Sequence, residues 1–273
     1  MTRGRAELAK KAVASALQQV PPPDLVWVIE DGLVGKPFEW EKGGPVRITR
    51  WSEPKGYMAA RQKMMMEAEA DVYVSLDDDA WFLDPHAMAE AVRAIVEHPQ
   101  VAAVGFEILS PDQSNPSGEK GLKEAKLFIG CGHALHLMAV REVGGYENMP
   151  GFYGGEEKDL CLRLMDQGWE IVKVMGATVW HDKTHIQRDL RRQRKSRVVN
   201  DLTLICRRCP TRGLALNALG NITNQMFHSM QAPKERLGPS LAGIWKFLLA
   251  IPAVISTRRP VRSQTWRRFR RMR

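Results

Sequence analysis

The sequence predicts an α/β fold, a mostly parallel sheet flanked by helices, followed by a basic helical C-terminal extension. Two observations carry this expectation. Short apolar runs alternate with helix-period segments as far as about residue 187, the pattern of a sheet covered by crossover helices. Beyond residue 188 the pattern is wholly helical and the charge reverses. Residues 1–187 hold 20 Lys/Arg and 28 Asp/Glu, a net of −8, whereas residues 188–273 hold 20 and 3, a net of +17, which together give the chain its +9. An acidic body with a basic extension is a two-part organisation whose parts meet different partners, and it divides the chain into 1–187 and 188–273.

The elements follow in order. Residues 5–19 read as a helix with Leu8, Ala12, Val13, Ala16 and Leu17 on one face, stopped by Pro21 to Pro23. Leu25 to Ile29 is a buried strand closed by Glu30-Asp31-Gly32, and residues 46–50 form another. A helix over 57–69 leads to a strand from Val72 to Leu76 that ends in Asp77-Asp78-Asp79. A helix over 85–97 and a strand from Val101 to Phe106 come next. Residues 108–125, with Pro111, Pro116, Gly118 and Gly121, read as a loop, and Lys126 to Gly132 as a strand. A helix over 157–167 and a strand from Ile171 to Trp180 ending in His181 complete the body.

Composition narrows the function classes. The hydrophobic fraction of 44% is ordinary for a globular chain. Of the four cysteines, Cys206 and Cys209 form a lone Cys-x-x-Cys with neither a second ligand pair for zinc nor a thioredoxin-like context. The opening residues carry no apolar signal region, which fits a cytosolic location. No run of about 18 consecutive apolar residues is present. The nearest stretch, Leu241 to Thr257, is broken by Lys246 and Pro252. Eight arginines follow it between Arg258 and Arg273, with Trp266 and Phe269 among them and no acid. Arginines and aromatics beside an apolar helix suit an anionic membrane surface, ahead of a solvated tail and ahead of nucleic acid, which is not expected as a partner.

Ligands of an open α/β sheet bind beyond the carboxyl ends of the strands, where Asp31, the aspartates 77–79 and His181 all fall. Three adjacent carboxylates repel one another without a cation, and oxygen ligands suit magnesium or manganese; the plain alternative is an Asp-rich turn. His181 would add an imidazole, which manganese tolerates better than magnesium, with His185 secondary to it. In Phe152-Tyr-Gly-Gly-Glu-Glu-Lys-Asp-Leu160 two glycines precede three acids at a helix N-terminus, where partial positive charge favours ionised carboxylates. Such a carboxylate can act as a general base; alternatively it is only a charged first turn.

These motifs, with Gly56-Tyr-Met-Ala-Ala-Arg61, Phe128-Ile-Gly-Cys-Gly132, Val143-Gly-Gly-Tyr146 and Trp180-His181, resemble family-2 glycosyltransferases of the GT-A (Rossmann-like) fold over residues 2–185. The resemblance implies inverting transfer from a nucleotide-diphosphate sugar. Asp31, Arg61, Asp77 and Asp78 would bind the donor, and Asp79 and His181 the Mn2+ or Mg2+ ion. Glu157 would be the catalytic base, where the family usually has Asp. Glu156 would orient the acceptor and share the catalytic position, Asp159 would support the helix start, and Gly132, Phe152 and Tyr153 would line the acceptor side. Arg197-Val-Val-Asn200 with Cys209-Pro210 resembles rhamnosyltransferase-like members, which act on lipid-linked or surface polysaccharide acceptors. The implied hexosyltransferase would then work at the inner face of a membrane on a glycan or lipid-linked glycan. The sequence enters at Met1-Thr2-Arg3, the turn that in the family follows an opening strand, so the usual first strand is expected to be missing. That departure and the Glu at 157 leave a second reading, a non-catalytic nucleotide-sugar or carbohydrate-binding protein of the same fold.

Overall fold

A computed structural model of the chain describes residues 1–41, 43–183 and 189–272. It divides into two compact units, Met1–Gly145 with Gln167–Thr184, and Tyr146–Asp166 with His185–Arg273.

The first unit is α/β. Helix α1 (Ala6–Leu17) leads to strand β1 (Val26–Asp31), which pairs in parallel with β2 (Val46–Trp51) as a two-stranded sheet. After α2 (Tyr57–Glu67) come β3 (Val72–Leu76), the short β4 (Ala80–Phe82), α3 (Ala87–Glu97) and β5 (Val101–Leu109). Strand β6 (Gly121–Glu124), β7 (Gly132–His136), α4 (Leu137–Glu142) and β8 (Glu170–His181) complete it. The second sheet has the order β3-β7-β5-β8-β4, with β6 on β8. Its core packs Val101, Val104 and Phe106 of β5 against Val172, Val174 and Val179 of β8. Helix α3 covers this core through Ala87, Ala91, Ala94 and Ile95, an i, i+4, i+7, i+8 stripe whose small residues let the helix approach closely.

The sheet is mixed rather than mostly parallel. In the larger sheet β5 and β8 run parallel, whereas β3–β7, β5–β7, β4–β8 and β6–β8 are antiparallel. Hydrophobic periodicity marks strands and not their direction. The three residues between β3 and β4 cannot make a parallel crossover, which takes a dozen or more residues. Two further expectations shift. The polar stretch 108–125 contains the end of β5 and the fully exposed β6, and the strand expected over Lys126 to Gly132 begins only at Gly132.

The β1–β2 sheet is not hydrogen-bonded to β3 among the described residues. A cavity of about 910 Å³ is lined by Val26 and Val28 of β1, Val72 and Val74 of β3, and Ala9 and Val13 of α1. Thr2 makes a parallel bridge to Glu30 beside it, its N–H donating to Ile29 O at 2.8 Å and its carbonyl accepting from Asp31 N–H at 2.9 Å. Thr2 thus adds a single bridging residue to the edge of β1.

The second unit is helical. It holds α5 (Glu156–Asp166), α6 (Leu190–Arg208), a 3₁₀ turn (Thr211–Gly213), α7 (Leu214–Met230), α8 (Pro233–Ser256) and α9 (Ser263–Arg271). Val198, Val199 and Leu202 of α6 pack on Phe247 and Val254 of α8, with Ile222 of α7 beside them. Gly243 lets α8 press onto α6, because a Cβ there would lie 2.8 Å from both Lys195 O and Val198 Cβ. By length and composition α8 could cross a bilayer despite Lys246 and Pro252, with 22% of its most apolar 18-residue window buried. The arginine-rich C-terminus is not a solvated tail. Trp266 and Phe269 are buried, and Arg262 ties it to Asp166 of α5, its N–H donating to Oδ1 at 2.9 Å.

Candidate active site

In the first unit the aspartate triplet is a turn between β3 and β4. Asp77 N–H donates to Cys131 O and Ala80 N–H to Asp77 O, each at 3.1 Å. The three side chains have different surroundings. Asp77 Oδ1 accepts from Arg61 Nη2 at 2.6 Å, and the same nitrogen donates to Gly130 O at 2.7 Å. Asp78 is buried and takes Arg5 as a fork, Nε to Oδ2 at 3.0 Å with Nη2 on Oδ1. Asp79, also buried, lies 3.4 Å through Oδ2 from Arg5 Nη1 and 3.5 Å through Oδ1 from His181 Nε2.

Strand register delivers that last contact. Ala80 pairs with His181 across β4 and β8, and Asp182 N–H donates to Asp79 O at 2.9 Å. Asp77, Asp79 and His181 each offer a ligand atom, all within 4.8 Å of one another. An ion with bonds of about 2.1 Å holds opposite ligands about 4.2 Å apart, so ligand atoms within 4.8 Å of one another would close on a single cation with a contraction of roughly half an ångström. Two carboxylates with one imidazole match manganese better than magnesium, which prefers oxygen and water. His185 lies outside the described residues.

Other residues expected at the site serve the scaffold around it. Asp31 is buried, and its two oxygens accept from Lys55 N–H at 2.6 Å and Gly56 N–H at 3.0 Å, which fixes the entry to α2. Gly56 has φ +89°, a backbone shape that favours glycine. Gly132 is a packing position, where a Cβ would come within 3.1 Å of Ile108 Cδ1 and 3.3 Å of Val179 Cγ1. Sequence reasoning missed His133, which is buried and stacks on Phe128 at 4.2 Å between centroids. Burial, with Arg61 adding to it, pushes its imidazole well below the usual range and keeps it neutral.

The second unit holds the acidic helix start. Glu156 is buried as the first residue of α5 and Glu157 is half-buried. Phe152 and Tyr153 precede them, ring centroids 6.3 Å apart, with the Arg192 and Arg197 guanidiniums over the two rings at 4.2 and 5.2 Å. This loop hangs on one side chain to which the sequence alone assigns no role. Asn200 of α6 is fully buried; its Oδ1 accepts from Gly151 N–H at 2.7 Å. Its Nδ2 donates to the carbonyls of Gly151, Tyr153 and Gly154 at 3.1, 3.2 and 2.6 Å. Gly155 (φ +98°) leaves room for it, since a Cβ there would meet Asn200 Cβ at 3.1 Å. Asn200→Ala is therefore expected to cost about 2–4 kcal/mol, because the buried Gly151 groups and the half-buried carbonyls of Tyr153 and Gly154 lose their partner at up to about 1–3 kcal/mol each and water recovers part. Thermal melting of the variant against wild type checks the loss.

A mixed, helix-covered sheet with an acidic turn and a histidine at strand ends is the GT-A architecture of glycosyltransferases. Residues 1–128 match the family model described as glycosyl transferase family 2, and residues 121–188 match that of the N-terminal domain of galactosyltransferase. The two matches together run through residue 188, and both are to glycosyltransferase models. Solved structures agree in fold. "Crystal structure of GalNAc-T7 with UDP, GalNAc and Mn2+" aligns with 15% identity and a TM-score of 0.58 over 73% of this chain and 45% of that one. The mannosyltransferase PcManGT from Pyrobaculum calidifontis, in complex with GDP-Man and Mn2+, aligns at 14% and 0.57 over 92% and 73%. S. aureus TarS in complex with UDP-GlcNAc aligns at 10% and 0.63 over 94% and 81%. This chain spans less than half of the GalNAc-T7 chain, and identities this low speak for fold alone. No curated protein sequence matches the chain.

Proposed function

We propose that this protein is an inverting, hexosyltransferase-type enzyme that moves a sugar from a nucleotide-diphosphate donor to an acceptor hydroxyl. The carrying observation is the cluster of Asp77, Asp79 and His181 at the ends of β3 and β8, in a chain whose residues 1–128 match the family-2 model and 121–188 the galactosyltransferase model. Solved structures of this fold described with UDP, GDP-Man or UDP-GlcNAc support a nucleotide-sugar donor, and those described with Mn2+ support manganese as the ion.

In this reading Asp79 and His181, with Asp77, hold a divalent cation whose chemistry is to neutralise charge on the diphosphate leaving group. Arg61 fixes the Asp77 carboxylate, and Asp31 shapes the loop that receives the nucleotide. Glu157 accepts the proton of the acceptor hydroxyl as its oxygen forms the new bond to the anomeric carbon. Glu156 and the Phe152–Tyr153 pair orient the acceptor. The acceptor is a glycan or lipid-linked glycan, and the basic C-terminal extension holds the enzyme at the inner face of the membrane.

Chelation tests the metal part. EDTA is expected to reduce transfer to background, with MnCl2 restoring it and Asp79→Asn abolishing the restoration. Full activity in EDTA would remove the metal role of Asp79 and His181. The non-catalytic reading predicts donor binding by calorimetry without transfer or donor hydrolysis by the wild-type protein.

A further inference from the structure

The helical unit has an outward face that its own core does not use. Helix α7 contains no Asp, Glu, Lys or Arg in its 17 residues. Its inner side, with buried Gln225 and Ser229, joins the packing of α6 and α8. Its outer side carries Leu216, Leu219, Phe227 and Met230, and α8 adds Trp245 and Leu249; these six are 60–77% exposed. Among the described residues, nine large apolar side chains stand exposed on these two helices alone. Isolated exposed leucines need no explanation, but a charge-free helix face continued onto its neighbour does.

Charge says what covers it. Residues 188–273 contain 20 Lys/Arg against three acids, Asp189, Asp201 and Glu235. Lys234 and Arg236 begin α8, Lys246 stands exposed in its middle, and exposed Arg259, Arg267 and Arg271 follow. An exposed apolar strip with a tryptophan on it, in a unit rich in exposed cations, is the composition of a helix lying at a negatively charged lipid interface. The buried Trp266 and Phe269 of the C-terminal helix are already spent inside the fold, so the apolar anchor is elsewhere. Crossing the bilayer is a poor use of α8, because Gly243 seats it on α6, whose 19 residues include eight charged ones. A spanning α8 would either leave that partner or take those charges into hydrocarbon.

We infer that the outer face of α7 and α8 is a membrane-docking surface that lies in the interface of an anionic bilayer, with α6 and its arginines held on the water side. This deepens the peripheral-membrane part of the proposed function and rests on it, but not on catalysis.

The test is sedimentation of the full chain with vesicles of phosphatidylcholine and phosphatidylglycerol at 7:3, and with pure phosphatidylcholine. The wild-type protein is expected to bind the anionic vesicles at least tenfold more tightly than the neutral ones. The variant Leu219→Gln/Phe227→Gln/Trp245→Gln/Leu249→Gln, whose melting should match wild type because all four side chains are exposed, is expected to lose at least tenfold on anionic vesicles. Wild-type binding with the variant within twofold would overturn this surface while leaving the peripheral-membrane reading in place. No vesicle binding by the wild type would overturn both. Wild-type dimers that the variant converts to monomers, without vesicle binding, would assign the face to a second copy and overturn the inference.

Discussion

Glu157→Gln is expected to lower sugar transfer by about 10²–10⁴-fold, the range over which a positioned general base contributes. The substitution keeps the length and much of the hydrogen bonding of the side chain and removes its capacity to take a proton. Glu157 heads α5 beside buried Glu156, whereas the residues assigned to the donor lie at Asp31, Arg61 and Asp77 in the other unit. Donor affinity by calorimetry should therefore stay within about twofold of wild type, a difference of less than 0.5 kcal/mol. Wild-type turnover by Glu157→Gln would end the base assignment, and a parallel loss of donor binding would point to a structural role. Glu157→Asp separates the family's usual residue from this chain's own. Retracting the carboxylate by one methylene, roughly 1.5 Å, is large on the scale to which reacting groups are held. If the backbone of α5 is set for Glu, the Asp variant should be slower than wild type.

What could be read from the sequence was local. The run Val72 to Leu76 followed by three aspartates, and the strand ending at Trp180-His181, announce themselves within about ten residues, and they supply the cluster of Asp77, Asp79 and His181. Strand direction could not be read, because alternation is the same either way. Strand β6 has all four residues exposed, so it has no alternation at all. The supports of the acidic loop were hidden for another reason. Asn200 and Gly151 are 49 positions apart, as are Arg208 and Asp159. A polar residue in an arginine-rich helix reads as solvated until its distant partner is known. The same limit hid the docked C-terminus: Trp266 and Phe269 looked like the aromatics of an exposed tail, but the fold buries both.

Arg208 leads to the largest expected loss of stability. Asp159, fully buried in the first turn of α5, accepts from Arg208 Nε at 2.6 Å and from Arg163 Nε at 2.7 Å. Arg208, itself 1% exposed, also reaches Glu147 at 2.7 Å. Burial disfavours the charged carboxylate, but Arg163 and Arg208 outweigh it and hold Asp159 below the usual carboxylate range. Asp159→Ala leaves two buried guanidiniums facing each other and should cost about 3–5 kcal/mol, as breaking a buried pair does. At roughly 2–4 °C per kcal/mol for a protein of this size, the melting temperature should fall by about 6–20 °C. The pair need not be a net stabiliser. Replacing both partners, Asp159→Leu with Arg208→Met, should recover much of the loss, since the desolvation cost leaves with the charges. The sign of the pH effect follows from the depressed folded-state value. The contribution of Asp159 is fully present above about pH 3.9, the unfolded value, and disappears as pH falls through the lower folded value. Wild type should therefore lose stability below about pH 4 more steeply than Asp159→Ala, and melting curves from pH 7 down to pH 3 would measure the difference. Parallel curves for the two proteins across that window would mean that Asp159 is not the charged centre of the network.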